Sequence, residues 1–522
     1  MQLTLYMLRS DLHEGSWGLR ESADDYSVVP IRPIEGVDAT LRVKQSDPHP
    51  PRWLRDLMSI VASDDLSTLF NRHTAALLLI RYAGYRFVLA YGAGWHAIDP
   101  SAIEPGFGLR VVANSVASSR VRSADTRGLG GSARSQRTAM PAAGPLYELG
   151  IEPSEEWVRQ LEGTPTVDFA NAAAGSDALK LKLRHFSLVH LEPKLAQIID
   201  RYESTDYKRE YDFLDYFTRV HRENKSLRIT LASIITDMIN GHSTDLDFAA
   251  PDILEPLKID YYQLSSTRRK SPEMSELSQD RVYSSISDWK IDEPLTSIRV
   301  HAFDIAGEQP ITSYPLFDYI VADIRHDGRH YTLSAGQWFV VDETYVEAVQ
   351  HRMKSLDDIT DALDLGAWGP GEDEGSYNRR LAGDRGWKLL DKDNFPIGGP
   401  NQKIEICDVL TAERQMICVK RMSKSSTLSH LFAQGSVSAQ LLVSDANGYK
   451  HRVMEAFNEI APGQGFGQRD DWTVVYAIGT SKPGKLADTL YFFSKVSLER
   501  AVRHLQSLGI RVALARIPMQ ST

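Results

Sequence analysis

Apolar and polar positions alternate over Leu3–Leu8 and Tyr85–Tyr91, and turn formers bound both runs, which predicts two early strands. Between them Trp53, Leu54, Leu57 and Ile60 recur at helical spacing after the Pro50-Pro51 pair. Asp99-Pro100 predicts a cap for a short helix over Ser101–Glu104, followed by a strand through Leu109–Val112. Ser118–Gly144 changes character. Gly, Ser and Ala crowd it, and Arg120, Arg122, Arg127, Arg134 and Arg137 face the single acid Asp125. That composition predicts a solvated loop, or one that orders its guanidinium groups on phosphate oxygens. Helical spacing returns at Leu195–Tyr202 and Leu227–Ile239, and the aromatics of Asp206–Tyr216 fit a core better than a base-stacking platform. Residues 266–290 are polar and Ser-rich and read as an exposed connection. Tyr319–Arg325, His330–Ala335 and Gln337–Val341 alternate again, with Asp327-Gly328 as a hairpin turn.

After Asp364 the glycines and proline of LGAWGPGEDEG break the pattern, which places a boundary near residue 366. Beyond it the chain reads as a helix over GEDEGSYNRRLAG and strands at Trp387–Asp391, Lys403–Asp408 and Gln415–Lys420. A helix at Thr427–Leu442, a buried strand at Trp472–Ile478, a helix at Leu498–Leu508 and a strand at Ile510–Ala515 complete it. The expected division is thus an α+β domain over 1–145 ending in the Arg/Gly/Ser-rich loop, a mixed helical and β region over 146–365, and a mixed sheet flanked by helices over 366–522. At roughly 150 residues per domain, 522 residues suit such an α+β or α/β multidomain chain.

Composition narrows the function classes. With 59 Lys+Arg against 69 Asp+Glu the net charge is −10, which excludes a uniformly basic coat but leaves room for a local basic surface. Two cysteines make neither a disulfide framework nor a cysteine zinc site, so a reducing cytoplasm is expected. No run approaches the roughly 20 apolar residues that span a bilayer, so no membrane partner is expected. AAGSDALKLKL lacks the spacing of a phosphate-cradling loop, which removes a P-loop nucleotide enzyme.

The chemistry concentrates in the last third. Phosphodiester hydrolysis needs a hard divalent cation held by carboxylates and a cationic group near the attacked phosphorus. Asp408 and Lys420 end neighbouring predicted strands, and Glu374 opens the preceding helix. Glu374 and Asp408 are therefore the expected ligands of Mg²⁺ or Mn²⁺, with Lys420 orienting the attacking water. Arg421, Lys424, Ser426, His430, Gln434 and Lys495 are expected to contact the phosphate backbone. Ser426, His430 and Gln434 share a helix face, near the small residues Gly435 and Ser438. The order helix, three strands, helix, strand with these residues resembles the PD-(D/E)XK restriction-endonuclease-like fold. One position departs from its pattern: two residues before Lys420, where an oxygen ligand is usual, stands Cys418.

RFVLAYGAGWHAIDPSAIEPGFGLRVVANSV, GSDALKLKL, GEDEGSYN, IEICDVLTAERQMICVKR, SSTLSHLFAQGSVSA and FFSKVSLERA are spread over nearly the whole chain. Through these blocks it resembles a sporadically distributed bacterial family of unknown function. By analogy, such a distribution implies anti-phage or mobile-element defence. The expected function is a metal-dependent nuclease acting on DNA or RNA, alone, as a homo-oligomer or with a partner defence protein. The alternative is a catalytically degenerate nuclease fold serving as a nucleic-acid-binding or scaffold subunit.

Overall fold

The computed structural model describes residues 1–522 except 52–53, 55–56, 58–59, 62–65, 67, 130–134, 152–155, 166–167, 221–223, 244–245, 252–258, 305–309, 392–393, 397–402, 423–424, 446–447 and 521–522. It is a mixed α+β structure of two compact units, one built mainly from residues 1–214 and the other mainly from 215–522.

The first unit is organised on a ten-stranded sheet. Gln2–Met7 lies inside it, antiparallel to both Tyr85–Gly92 and Ala178–Lys182, so its alternation buries Leu3, Leu5 and Met7. The expected strand at Leu109–Val112 is instead the helix Phe107–Ala113. Its apolar residues Phe107, Val111 and Val112 are buried together at helical spacing. Gly108 lets this helix approach the sheet: a Cβ there would stand 2.1 Å from the carbonyl oxygen of Ala178. The Arg-rich segment is also not a loop over its described residues. It forms strands Val121–Gly128 and Ser135–Gly144. Small residues such as Ser123, Ala124 and Thr126 fill buried positions of the first strand, where composition alone reads a solvated loop. Three of its cations are engaged within the fold: Arg137 pairs with Asp125, Arg122 donates to the carbonyl of Pro141 at 2.9 Å, and Arg127 is buried. Most of the predicted helix around Trp53 lies outside the described residues.

The second unit carries a five-stranded antiparallel sheet that includes Ile320–His326, Arg329–Ser334 and Gln337–Val341, joined at Asp327-Gly328 by positive-φ residues as the hairpin requires. Part of the supposed exposed connection 266–290 is core: Met274, Val282 and Ile286 are buried, the last two at the spacing of the helix Gln279–Ser285 and its end.

Helix α1 (Glu343–Lys354) leads to a six-stranded mixed sheet. Its strands are β1 (Asp357–Asp358), β2 (Lys388–Leu389), β3 (Val409–Leu410), β4 (Gln415–Arg421), β5 (Thr473–Thr480) and β6 (Arg511–Pro518), in spatial order β1-β6-β5-β4-β3-β2. Strands β2, β3 and β4 pair antiparallel, whereas β4, β5, β6 and β1 run parallel. Helix α2 (Glu374–Arg385) precedes β2, α3 (Ser425–Ser444) and α4 (Tyr449–Ile460) link β4 to β5, and α5 (Phe492–Ser507) links β5 to β6. Strand β5 is buried along its whole length, as a central parallel strand covered on both faces must be. The alternation of β4 divides the layers. Met416 and Cys418 enter the core shared with α3 and α5, while Ile417 and Val419 pack with Tyr377 and Leu381 of α2.

One small residue fixes the α3 layer. A Cβ at Gly435 would stand 2.7 Å from the hydroxyl of Tyr476, which is fully buried on β5 and donates to the carbonyl of Phe432 at 3.0 Å. Gly435→Ala should therefore destabilise the fold by roughly 1–3 kcal/mol, read as a lowered urea midpoint at unchanged m-value.

Candidate functional site

The site grows from the start of α2. Asp373 is its N-cap, accepting from the Ser376 amide at 2.7 Å, which leaves Glu374 on the first turn. Glu372 is held apart by a bidentate pair with Arg380, both bonds 2.9 Å, so it serves the helix entry. The Glu374 carboxylate meets the Lys420 ammonium of β4 at 2.8 Å, with about a third of each side chain exposed.

Asp408 does not end the expected strand Lys403–Asp408. That segment is divided: Lys403–Glu405 pairs with Asn394–Pro396, and β3 begins after Asp408. The reason lies in the aspartate. Its Oδ2 accepts the Val419 amide at 2.7 Å, and its carbonyl accepts the amides of Leu390 and Asp391 at 2.9 and 3.1 Å. A side chain that takes a ladder amide for itself breaks the regular pairing. Oδ1 faces Asn378, whose Nδ2 lies 3.3 Å away. Asp408 is thus fastened between α2 and β4 and is 4 % exposed. Burial, helped by the charges of Glu374, Glu405 and Asp391 and opposed by the Val419 amide, pushes its carboxyl up to about 7.

Asp408 is accordingly bonded to the two elements that carry the Glu374–Lys420 pair, α2 through Asn378 and β4 through Val419, and feels the charge of Glu374. The structure adds residues that the strand pattern did not mark. Asn378 follows Glu374 by one helical turn and is fully buried. Glu405 accepts from Nε2 of Gln434 at 3.0 Å, which ties α3 to the cluster. The i, i+4 relation of Glu374 and Asn378 was the available signal for Asn378; nothing local marked Glu405.

The expected substrate contacts divide. Gln434 faces the cluster through Glu405, and His430 is exposed one turn earlier on α3. Arg421 is exposed, with its guanidinium 5.1 Å from the Trp368 ring centroid. Lys424 and the side chain of Ser426 lie outside the described residues. Lys495 is elsewhere: its Nζ donates to Gln350 of α1 at 2.6 Å, and burial lowers its ammonium to about 8. The turn of α5 that carries it packs toward α1, so Lys495 leaves the set of residues around Asp408. Gly435 and Ser438 do not open a channel for a phosphate backbone. Gly435 receives the Tyr476 ring, and the buried Ser438 hydroxyl bonds the carbonyl of Ile406.

Cys418 is fully buried between these elements, and burial raises its thiol well above the ordinary range, with Asp408 and Glu405 adding to the effect. It is a core residue with no thiolate to offer. The donor set is therefore oxygen only. Glu374, Asp408 and the amide oxygen of Asn378, a buried atom that accepts no hydrogen bond, suit a hard divalent cation. Among the described residues, no group of three or more His, Cys, Asp or Glu side chains is arranged to hold a metal ion.

A family model matches residues 3–518, which decides the relationship. The chain belongs to the family of unknown function DUF6119. No curated protein and no solved structure matches it. Among the described residues no helix is long and apolar enough to cross a membrane.

Proposed function

We propose that this member of DUF6119 is a metal-dependent nuclease that hydrolyses phosphodiesters of DNA or RNA in bacterial anti-phage or mobile-element defence. In this reading the C-terminal sheet is a restriction-endonuclease-like domain. The observation that carries it is that the buried Asp408 is bonded to the same helix and strand, α2 and β4, that carry the partly exposed Glu374–Lys420 pair. The antiparallel trio β2-β3-β4 followed by helices and the parallel β5 supports the same reading.

In use, Glu374 and Asp408 would hold Mg²⁺ or Mn²⁺, and the ion would polarise a phosphoryl oxygen and acidify the attacking water. Lys420 would exchange Glu374 for the substrate, orienting water and offsetting charge that develops on phosphorus. Gln434 keeps Glu405 turned toward α3, while His430 and Arg421 are exposed and able to meet the nucleic-acid backbone. Incubating the protein with labelled single- and double-stranded DNA and RNA, with Mg²⁺, Mn²⁺ or EDTA, should give products in a metal-containing arm and none with EDTA. Absence of products in every metal arm removes the activity.

Cys418 favours a second reading, a degenerate nuclease fold that binds nucleic acid as a scaffold, because an oxygen ligand is missing where it stands. That protein would retain nucleic acid on a filter equally with and without EDTA, with affinity falling steeply in salt, and would release no product.

A further inference from the structure

We propose that Asn378 is the third oxygen ligand of the divalent-cation site, standing in for the carboxylate that Cys418 replaces. This rests on the metal-dependent reading of the Glu374–Asp408 cluster and adds to it a ligand that the strand pattern does not contain.

Three observations lead there. Cys418 is fully buried in the core shared with α3 and α5, and its soft sulfur is no oxygen donor for a hard cation. The acidic, histidine and cysteine side chains form no metal-holding group of three among the described residues, so a three-ligand site here requires an oxygen from another residue type. Asn378 has the required position and the required atom. It stands one turn after Glu374 on α2, is 0 % exposed, and sets its carboxamide against Oδ1 of Asp408. The Nδ2 end of that carboxamide is used, whereas the Oδ1 end is buried and accepts from no donor. A buried carbonyl-type oxygen without a partner is unfavourable. A half-turn of the carboxamide brings that oxygen toward Asp408, and an amide oxygen is an ordinary ligand for hard divalent ions. Two carboxylates and one neutral oxygen balance a double positive charge, whereas a third carboxylate in the Cys418 position would exceed it.

A merely structural Asn378 would hold Asp408 in place without touching the ion, so the test must report ligand chemistry. Full-length protein without nucleic acid is titrated with Mn²⁺ by electron paramagnetic resonance of the free ion, and with Cd²⁺ in competition. Asn378→Ala should raise the Mn²⁺ Kd about tenfold or more. Asn378→Cys, close in volume and bearing a soft donor, should shift preference from Mn²⁺ toward Cd²⁺ by about tenfold or more relative to wild type. That switch reports a direct ligand even if the alanine variant fails to fold. If both variants keep the wild-type Mn²⁺ affinity and the wild-type Mn²⁺/Cd²⁺ ratio while Asp408→Ala loses binding, Asn378 is no ligand and the nuclease reading stands. If wild type binds no Mn²⁺, both fall together.

Discussion

Lys420→Ala and Asp408→Ala should each reduce metal-dependent cleavage by roughly 10²-fold or more, the scale on which loss of one charge-stabilising group acts. The two variants fail for different reasons. Removing the Lys420 ammonium takes away the cation nearest Glu374, leaving that carboxylate without its 2.8 Å partner. Because each side chain of the pair is about a third exposed, the pair contributes under about 1 kcal/mol to folding. A large loss of cleavage in Lys420→Ala therefore cannot come from unfolding, and a thermal melt alongside the assay verifies this. Lys420→Arg should not restore the activity, since a planar fork does not reproduce a compact ammonium. Asp408→Ala removes a buried acceptor, leaving the Val419 amide and the Asn378 carboxamide without the oxygens they meet. Wild-type cleavage rates in both variants would dissolve the proposed site.

Asp408→Asn should abolish cleavage and yet make the protein more stable. In the fold the carboxyl of Asp408 is pushed up to about 7 from its ordinary 3.8, mainly by burial. Between those values the native state keeps a proton that the unfolded chain has released, so the wild-type protein loses stability as pH rises from about 4 to 7. Above 7 the loss is complete, and a shift of this size corresponds to about 4 kcal/mol. Asparagine does not titrate. It can accept the Val419 amide with its oxygen, and it can donate to Asn378 once that carboxamide turns its unused Oδ1 inward. The advantage of the variant in urea unfolding should accordingly be small near pH 4, grow through pH 7 and level off above it. A variant no more stable than wild type at pH 8 would mean that Asp408 ionises in the fold without penalty. Such a penalty at the centre of the candidate site matches the general exchange of stability for function.

The alignment of these residues was only partly legible beforehand. The N-terminal acid of α2, strands β4 and β5 to within two residues at each end and the Asp327-Gly328 hairpin followed from local spacing, because capping, alternation and turn chemistry act within a few residues. Helix Phe107–Ala113 was misread because a short apolar run has no decisive period, and Val121–Gly128 because small buried residues imitate a loop. Asn378 was hidden by its ordinary appearance on a polar helix. Its role depends on Asp408, which lies thirty residues later in the chain.

By itself the sequence determined the membership of each strand and helix where a clear period existed, together with the residue types able to carry the chemistry. Tertiary structure decided which of them meet. It gathered Glu374, Asn378, Asp408 and Lys420, drew Glu405 in through Gln434, sent Lys495 to Gln350, and closed Cys418 into the core. The physical reason is that periodicity specifies a face but not its neighbour. The neighbour is chosen by how layers pack, here through Tyr476 seated against Gly435 and through Asp408 taking an amide from β4.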